Sequence, residues 1–159
     1  MNEKKTPDRP APLILGCDHA AVGLKETVKR HLLDKGIQVE DAGTHSEASV
    51  NYVDFAAKVA RAVSDGTYRR GILICGSGIG MSMAANRFPR VRAALCNDLF
   101  SAIMSRRHND ANILAMGGRI IGDVLAEEIV DAWLDTPFEG GRHQERIDAM
   151  DAIVKKKEA

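Results

Sequence analysis

The sequence predicts an α/β fold, a three-layer, Rossmann-like, doubly wound domain built on a five-stranded parallel sheet. Two observations carry this prediction. Five short apolar runs of strand length recur along the chain, and a segment of helical length separates each run from the next. Strands that alternate with helices form βαβ units and hence parallel sheets. Crossovers in such sheets are right-handed, and for five strands in a doubly wound sheet we expect the common strand order 2-1-3-4-5.

The five predicted strands are short, mostly apolar, and followed by residues that favour turns. They span residues 13–17, 37–43, 71–75, 91–96 and 111–117. The second of them, IQVEDAG, is the most polar, so we place it towards an edge of the sheet.

The segments between the strands repeat apolar residues at helical spacing. Further helices are predicted at about 80–87 and 98–108, and a charged helix from Gly141 onward. The repeating residues are Leu24, Val28 and Leu32 in the first helix, Phe55, Val59 and Val63 in the second, and Leu125, Ile129 and Trp133 in the fifth.

Length and composition indicate a single domain in a reducing compartment. The chain has 159 residues, and we assign 13–159 to one domain that follows a polar, proline-rich and disordered leader at 1–12. Twenty-two basic and 22 acidic residues balance, which gives no sign of a nucleic-acid or membrane partner. Three cysteines without a C-x-x-C pair indicate the cytoplasm rather than a disulfide framework. The histidines and carboxylates show no metal-ligand spacing, so we expect no metal.

Two polar stretches should meet at the ligand site of this fold. Doubly wound sheets bind ligands beyond the carboxyl ends of their strands, where the strand order reverses, here between the first and third strands. The first strand ends in Cys17, Asp18 and His19, and the third ends in CGSGIG at 75–80. The topology therefore makes neighbours of residues far apart in sequence.

The glycine-rich turn at 75–80 predicts a reactive thiol beside an anion hole. Small residues let the backbone amides of 76–80 point at one oxygen, and the following helix adds its positive end. We expect these groups to lower the pKa of Cys75, which could then act as a general base. Two alternatives remain. Cys75 could be a small buried hydrophobe, or Gly76, Gly78 and Asp98 could belong to a non-catalytic nucleotide-binding module, although Met81 replaces the third glycine of that fingerprint.

Other polar residues add candidate acid–base and phosphate-binding groups to the thiol and the anion hole. His108, beside Asn109 in a polar stretch before the fifth strand, could serve as a general acid or base. Arg142 and Arg146 lie four apart on one helix face and could clamp a phosphate. A thiol base, an anion hole, histidines and a phosphate clamp fit proton transfer next to a carbonyl of a sugar phosphate, through an enediolate.

Four motifs, in this order, resemble blocks of the type B ribose-5-phosphate isomerase family, which belongs to a larger group with galactose-6-phosphate isomerase subunits. The resemblance runs from Leu13 to about Ala152. The motifs are GCDHAA, GILICGSGIGMSMAANR, SRRHNDANILAMGGR and DAWLDTPFEGGRHQERI.

The resemblance implies a role for each matching residue. Cys75 matches the catalytic base, Ser77 a hydroxyl relay, His108 the residue that helps to open the furanose ring, and Asp18 its assistant near the ring oxygen. Val53 stands where the family often has proline. The implied substrate-binding residues are Asp18, His19, Tyr52, Gly76, Ser77, Gly78, Ile79, Gly80, Asn109, Arg119, Arg142 and Arg146.

The resemblance also implies an activity and an assembly. The expected enzyme is a cofactor-independent aldose–ketose isomerase of the non-oxidative pentose phosphate pathway, which interconverts D-ribose 5-phosphate and D-ribulose 5-phosphate. The alternative within the group is a sister isomerase for allose 6-phosphate, galactose 6-phosphate or a tetrose phosphate. A homodimer or dimer of dimers is implied, with the C-terminal helix in the dimer contacts and His108 acting on a substrate held mainly by the partner chain.

Overall fold

The structure, a computed structural model, describes residues 11–155. Most of the predicted leader at 1–12 lies outside the described residues, and Ala11 and Pro12 are exposed and have no regular structure. The assignment of 13–159 to a single domain stays a prediction.

All five predicted strands form one parallel sheet. Their bounds are β1 Leu13–Cys17, β2 Val39–Asp41, β3 Gly71–Cys75, β4 Ala93–Leu95 and β5 Ile113–Gly117. The strands β1, β3 and β5 are buried throughout, whereas β2 and β4 are short and partly exposed. The fold class expected from the alternation of strands and helices is therefore confirmed.

In the described part of the chain, six helices connect or follow the strands, after a short 3-10 turn at His19–Ala21. The apolar residues of the predicted repeats face the sheet. Within residues 11–155, no helix has the length and apolar character that crossing a membrane requires. The helices are α1 Val22–Asp34, α2 Tyr52–Ser64, α3 Ile79–Ala85, α4 Leu99–Asn109, α5 Asp123–Asp135 and α6 Arg142–Lys155.

The expected order of the last two strands is wrong. The order is β2-β1-β3-β5-β4, so that β5 pairs with β3 and β4 forms an edge. Burial supplies the reason: β5 has five buried residues and needs neighbours and helices on all sides, whereas Leu95 of β4 is partly exposed. The reversal of strand order between β1 and β3 is unaffected, since both orders share it.

The direction of each crossover places each helix on one face of the sheet. The chain moves from β1 to β2 and from β4 to β5 in one direction, and α1 and α4 cover one face together with α5. It moves the other way from β2 to β3 to β4, and α2 and α3 cover the opposite face. Right-handed crossovers require this division. One core lies against each face, and the side chain of Cys75 belongs to the α2–α3 side.

The inner position of β5 makes a prediction about stability. Leu114 in β5 is fully buried, whereas Leu33 on α1 is half exposed. We expect Leu114→Ala to lower the free energy of unfolding by about 2–5 kcal/mol, because it removes buried methyl groups and leaves a cavity. The matched change Leu33→Ala should shift it by no more than about 0.5 kcal/mol. Urea unfolding followed by circular dichroism measures both, and equal effects would contradict a central β5.

Candidate active site

The predicted site residues fall into two groups at opposite edges of the sheet. The first group lies at the carboxyl edge, where Asp18 follows β1, Cys75 ends β3 and Arg119 follows β5. The second group lies at the amino edge, where His108 and Asn109 end α4 and the arginines begin α6. Each group is described in turn.

The turn after β3 places a backbone donor on the thiol of Cys75. The N–H of Gly78 donates to Sγ of Cys75 across 3.1 Å, and the side chain is almost completely buried. Gly78 has a φ of +78°, in the left-handed region that glycine adopts without strain. A Cβ at Gly78 would also lie 2.8 Å from the carbonyl carbon of Met116, so only glycine fits this position.

The amides of 76–80 do not all point at one external oxygen. That of Gly78 is bonded to the sulfur, and that of Ile79 donates to Oγ of Ser77 across 3.3 Å. The expectation that all five amides form the anion hole is therefore modified: two of them organise the turn itself. Ser77 accepts this bond through its oxygen and keeps its hydroxyl proton available to donate.

The three thiols differ in their surroundings, although each ends or follows a strand. Burial raises the pKa of Cys17 and of Cys96 to about 11 in each case. The Cys17 thiol donates to the carbonyl oxygen of Thr44 at 3.6 Å, and the Cys96 thiol to that of Ala94 at 3.7 Å. Among the described residues, the sulfur of Cys75 is the one that accepts a backbone N–H, the contact that suits a negatively charged sulfur.

Asp18 and His19 lie at the end of β1, as expected. Oδ1 of Asp18 accepts the N–H of Ala20 across 3.0 Å and caps the 3-10 turn. Nδ1 of His19 accepts the N–H of Val50 across 3.2 Å. Because Nδ1 accepts this bond, Nε2 is the ring nitrogen of His19 that can donate to a ligand.

Tyr52 and Arg119 close the sides of the glycine turn. A Cβ at Gly80 would lie 2.6 Å from Cζ of Tyr52, so the ring rests directly on this glycine. A Cβ at Gly76 would lie 3.6 Å from Nη1 of Arg119, which puts the guanidinium beside the turn. The N–H of Arg119 donates to the carbonyl oxygen of Gly76 across 3.0 Å, which ties the two loops together.

His108 and Asn109 form the last turn of α4 rather than a loop before β5. The ring of His108 stacks on that of His143, with centroids 4.2 Å apart and planes 9° from parallel. Oε2 of Glu139 lies 3.8 Å from Nε2 of each ring. Burial, His108 and the two neighbouring arginines lower the pKa of His143.

Arg142 and Arg146 are both exposed and lie four apart on α6, as the sequence predicts. Sequence reasoning missed His143 and Glu139, which complete this group. The signal available was their spacing: Glu139 and His143 are also four apart, one on each side of the glycine pair that precedes α6.

One chain does not bring the two groups together. The helix α4 begins at the carboxyl edge after β4 and ends at the amino edge before β5. Its 11 residues span about 16 Å at 1.5 Å per residue. His108, Asn109, Arg142 and Arg146 therefore lie across the sheet from Cys75 of the same chain.

Two clusters within residues 11–155 combine ligand types that metals use, although the sequence spacing predicted none. In the first, His108, Glu139 and His143, the two rings are almost parallel, and their in-plane lone pairs do not converge on one point. In the second, Glu26, Asp41 and His45, the ammonium of Lys25 already lies within 3.2 Å of all three ligand atoms. Neither arrangement suits a metal as it stands.

Asp98, which the nucleotide-binding alternative would use, has a local task. Its side chain caps α4 by accepting the N–H and the hydroxyl of Ser101, both across 2.7 Å. Both oxygens of this carboxylate are therefore engaged in capping α4.

Comparison with known proteins gives a consistent picture. The family model described as Ribose/Galactose Isomerase matches residues 13–150. Ribose-5-phosphate isomerase B of Escherichia coli (strain K12) is 47% identical over 145 residues, which cover 91% of this chain and 97% of that protein. D-erythrulose-4-phosphate isomerase of Pectobacterium atrosepticum is 43% identical over 140 residues, which cover 87% of this chain and 91% of that protein.

Solved structures agree with these relatives. Ribose-5-phosphate isomerase B of Clostridium thermocellum superimposes with a TM-score of 0.90 at 49% identity and covers 92% of this chain and 99% of its own. The corresponding structure from Thermotoga maritima gives a TM-score of 0.87 at 52% identity and covers 89% of this chain and 98% of its own.

Proposed function

The chain belongs to the ribose/galactose isomerase family, and from this premise we infer that it is an aldose–ketose isomerase. It interconverts D-ribose 5-phosphate and D-ribulose 5-phosphate, a step of the non-oxidative pentose phosphate pathway. The observation that carries the chemistry is the N–H of Gly78 on Sγ of Cys75, at the carboxyl end of a central strand. There a thiolate has a stabilising donor and a position at the ligand edge of the fold.

Cys75 acts as the base in the proton transfer. In the ring-opened aldose, the thiolate removes the proton on C2, and the electron pair forms a C1–C2 double bond while the carbonyl oxygen O1 takes up a proton. The resulting cis-enediol loses the proton on O2, C2 becomes the carbonyl carbon, and the thiol returns its proton to C1. Ser77 lies two residues from the base and relays protons between the oxygens, and backbone amides of the turn stabilise the negative charge on them.

The phosphate requires cationic and N–H donors away from the base. We assign this task to His19 and Arg119 at the carboxyl edge, and to Arg142 and Arg146 of a second copy of the chain. Guanidinium groups suit a phosphate because each offers two parallel donors. Tyr52 covers the glycine turn, and Asn109 of the second copy contacts the sugar.

Ring opening requires an acid near the ring oxygen, and we assign it to His108 with the help of Asp18. Because these two residues lie at opposite edges of the sheet within one chain, His108 must come from a second copy. We therefore propose a homodimer, alone or in a dimer of dimers, in which each site uses both chains and α6 lies at the contact.

An apolar surface at the carboxyl edge supports this assembly. Its residues are exposed on α3, at the starts of α4 and α5 and on the turn after β5, and these elements all follow the carboxyl ends of strands. Exposed apolar side chains that gather at one edge of a fold are typical of a protein interface. The residues are Ile79, Met83, Leu99, Phe100, Ile120 and Val124.

We place the enzyme in the cytoplasm. All three cysteines are unpaired in the structure, and the mechanism uses a free thiol, which a reducing compartment preserves. The expectation of no cofactor rests on the mechanism, in which protons move within one substrate.

Substrate choice is tested with purified protein and a panel of aldose phosphates. We expect kcat/KM for ribose 5-phosphate to exceed that for a tetrose phosphate, allose 6-phosphate or galactose 6-phosphate by about tenfold or more, since the discrimination arises from differential binding in the transition state. The relative named D-erythrulose-4-phosphate isomerase, at 43% identity, makes the tetrose the alternative of interest. If another sugar phosphate gave the highest kcat/KM, it would replace the proposed substrate. If ATP or NAD raised the melting temperature and ribose 5-phosphate did not, a nucleotide-binding module would be favoured.

Cys75→Ala should lower kcat at least a hundredfold with the fold intact, because general base catalysis contributes about 10²–10⁴-fold. Cys96→Ala is the matched control, since it removes a buried thiol at the end of an edge strand. Its kcat should remain within about twofold of the unaltered enzyme. Coupled spectrophotometric assays and circular dichroism provide the measurements. Turnover close to normal in Cys75→Ala would remove the thiol from the mechanism.

Mixing two inactive variants tests the shared site. Each of the variants Cys75→Ala and His108→Ala lacks a catalytic residue in every site of its own homodimer. A mixed dimer has one site with both residues intact and one site with neither. After co-refolding in equal amounts, half the dimers are mixed, so we expect recovery of about a quarter of the normal activity. No recovery, from a mixture shown to contain mixed dimers, would place both residues in one chain's site.

A further inference from the structure

We propose that Lys25 is a positioning residue, whose buried ammonium anchors the loop at 42–51 and thereby orients His19 towards the substrate. This inference rests on the proposed role of His19 in binding the sugar phosphate. Lys25 lies on α1 and touches none of the other proposed site residues, so any influence on the reaction passes through the loop.

The ammonium of Lys25 is surrounded by four acceptors from three parts of the chain. Its Nζ lies 2.9 Å from Oδ2 of Asp41 and 3.0 Å from Oε1 of Glu26. It also lies 3.1 Å from the carbonyl oxygen of Thr44 and 3.2 Å from Nδ1 of His45. The side chain has no exposed surface. One cation thus connects α1, the end of β2 and the loop.

Lys25 and Asp41 are both charged around neutral pH. Burial alone lowers the pKa of Lys25, but the hydrogen bonds to Asp41 and Glu26 outweigh it and the pKa is raised. Burial alone raises the pKa of Asp41, but the bonds from Lys25, Lys29 and the N–H of Gly43 outweigh it and the pKa is lowered. A buried ion pair that loses one member leaves the other uncompensated, so the contacts are held firmly.

The loop has few other attachments. Ala42 and Thr44 donate backbone bonds to the carbonyl oxygens of Leu15 and Cys17, which fixes its first residues on β1. From Ser46 to Ser49 the described chain makes no hydrogen bond to the rest of the molecule, and these residues are exposed. The next attachment is the N–H of Val50 on Nδ1 of His19.

The bond from Val50 determines which nitrogen His19 presents. With Nδ1 occupied as an acceptor, the proton resides on Nε2, and the ring can donate to a phosphate oxygen from that nitrogen. If Val50 moves away, the ring loses this preference of tautomer and its fixed orientation. Lys25 therefore acts on His19 by holding the loop in place five residues before Val50.

Lys29 provides a matched control one helical turn away. Its Nζ also lies 2.9 Å from Oδ2 of Asp41, but it is partly exposed and reaches neither Thr44 nor His45. Replacing either lysine by methionine removes one cation from Asp41, and only the change at Lys25 also removes contacts with Thr44 and His45 of the loop.

The experiment compares Lys25→Met with Lys29→Met. In Lys25→Met we expect the KM for ribose 5-phosphate to rise about tenfold while kcat changes less, because a lost binding group acts mainly on KM. Amide hydrogen exchange at Val50 should accelerate about tenfold, since exchange reports local opening. The ¹⁵N shifts of His19 should change from the Nε2–H tautomer to a mixture. Lys29→Met should leave all three readouts as they are.

Two further variants distinguish an error in the proposed role of His19 from an error in the proposed role of Lys25. If His19→Ala leaves KM unchanged, the proposed role of His19 is wrong, and the exchange and NMR readouts still decide whether Lys25 holds the loop. If His19→Ala raises KM but folded Lys25→Met alters neither KM, exchange nor tautomer, the inference is overturned. Should Lys25→Met not fold, His45→Ala removes one exposed acceptor and should speed exchange at Val50 about threefold; unchanged exchange there would also overturn it.

Discussion

The hydrogen bond from the N–H of Gly78 to the sulfur of Cys75 is the contact on which the rest of the site depends. It exists because Gly78 adopts a left-handed conformation that turns the chain back over the end of β3. This turn packs against the end of β5, where a side chain at Gly78 would clash with the carbonyl group of Met116. The position of β5 next to β3 is therefore a requirement of the thiol site as well as of the core.

The same topology explains why one chain does not bring the two groups of predicted site residues together. A helix that follows a parallel strand must return the chain to the opposite edge of the sheet before the next strand begins. Residues at the end of α4 are consequently as far as possible from residues at the ends of the strands. In the proposed homodimer, a second copy of the chain brings the histidines and arginines of the amino edge to the thiol at the carboxyl edge.

Much of the fold could be predicted from the sequence, and the exceptions have physical reasons. Apolar runs and helical periodicity located all five strands, since burial alone sets those patterns. The order of β4 and β5 could not be predicted, because either order gives right-handed crossovers and the strand that is most buried is identified only by packing. The motifs alone do not state which chain their residues face, and only the family resemblance implied that His108 acts on a substrate held mainly by the partner chain. The buried position of Lys25 could not be predicted, because a lysine on an amphipathic helix is usually exposed. Only the structure shows its four acceptors.

The three cysteines show how little separates a reactive thiol from an inert one. Each stands at or just after the end of a strand, and each is buried. Cys75 alone is followed three residues later by a glycine, in the order Cys-Gly-Ser-Gly, whereas Ala20 and Leu99 occupy the same position after Cys17 and Cys96. A left-handed residue there directs its N–H at the sulfur, and a residue with a side chain adopts that conformation only with strain. The distinguishing feature in the sequence is therefore the glycine rather than the cysteine, because the sulfur of Cys75 accepts a backbone N–H from that glycine, whereas the thiols of Cys17 and Cys96 donate to backbone carbonyl oxygens.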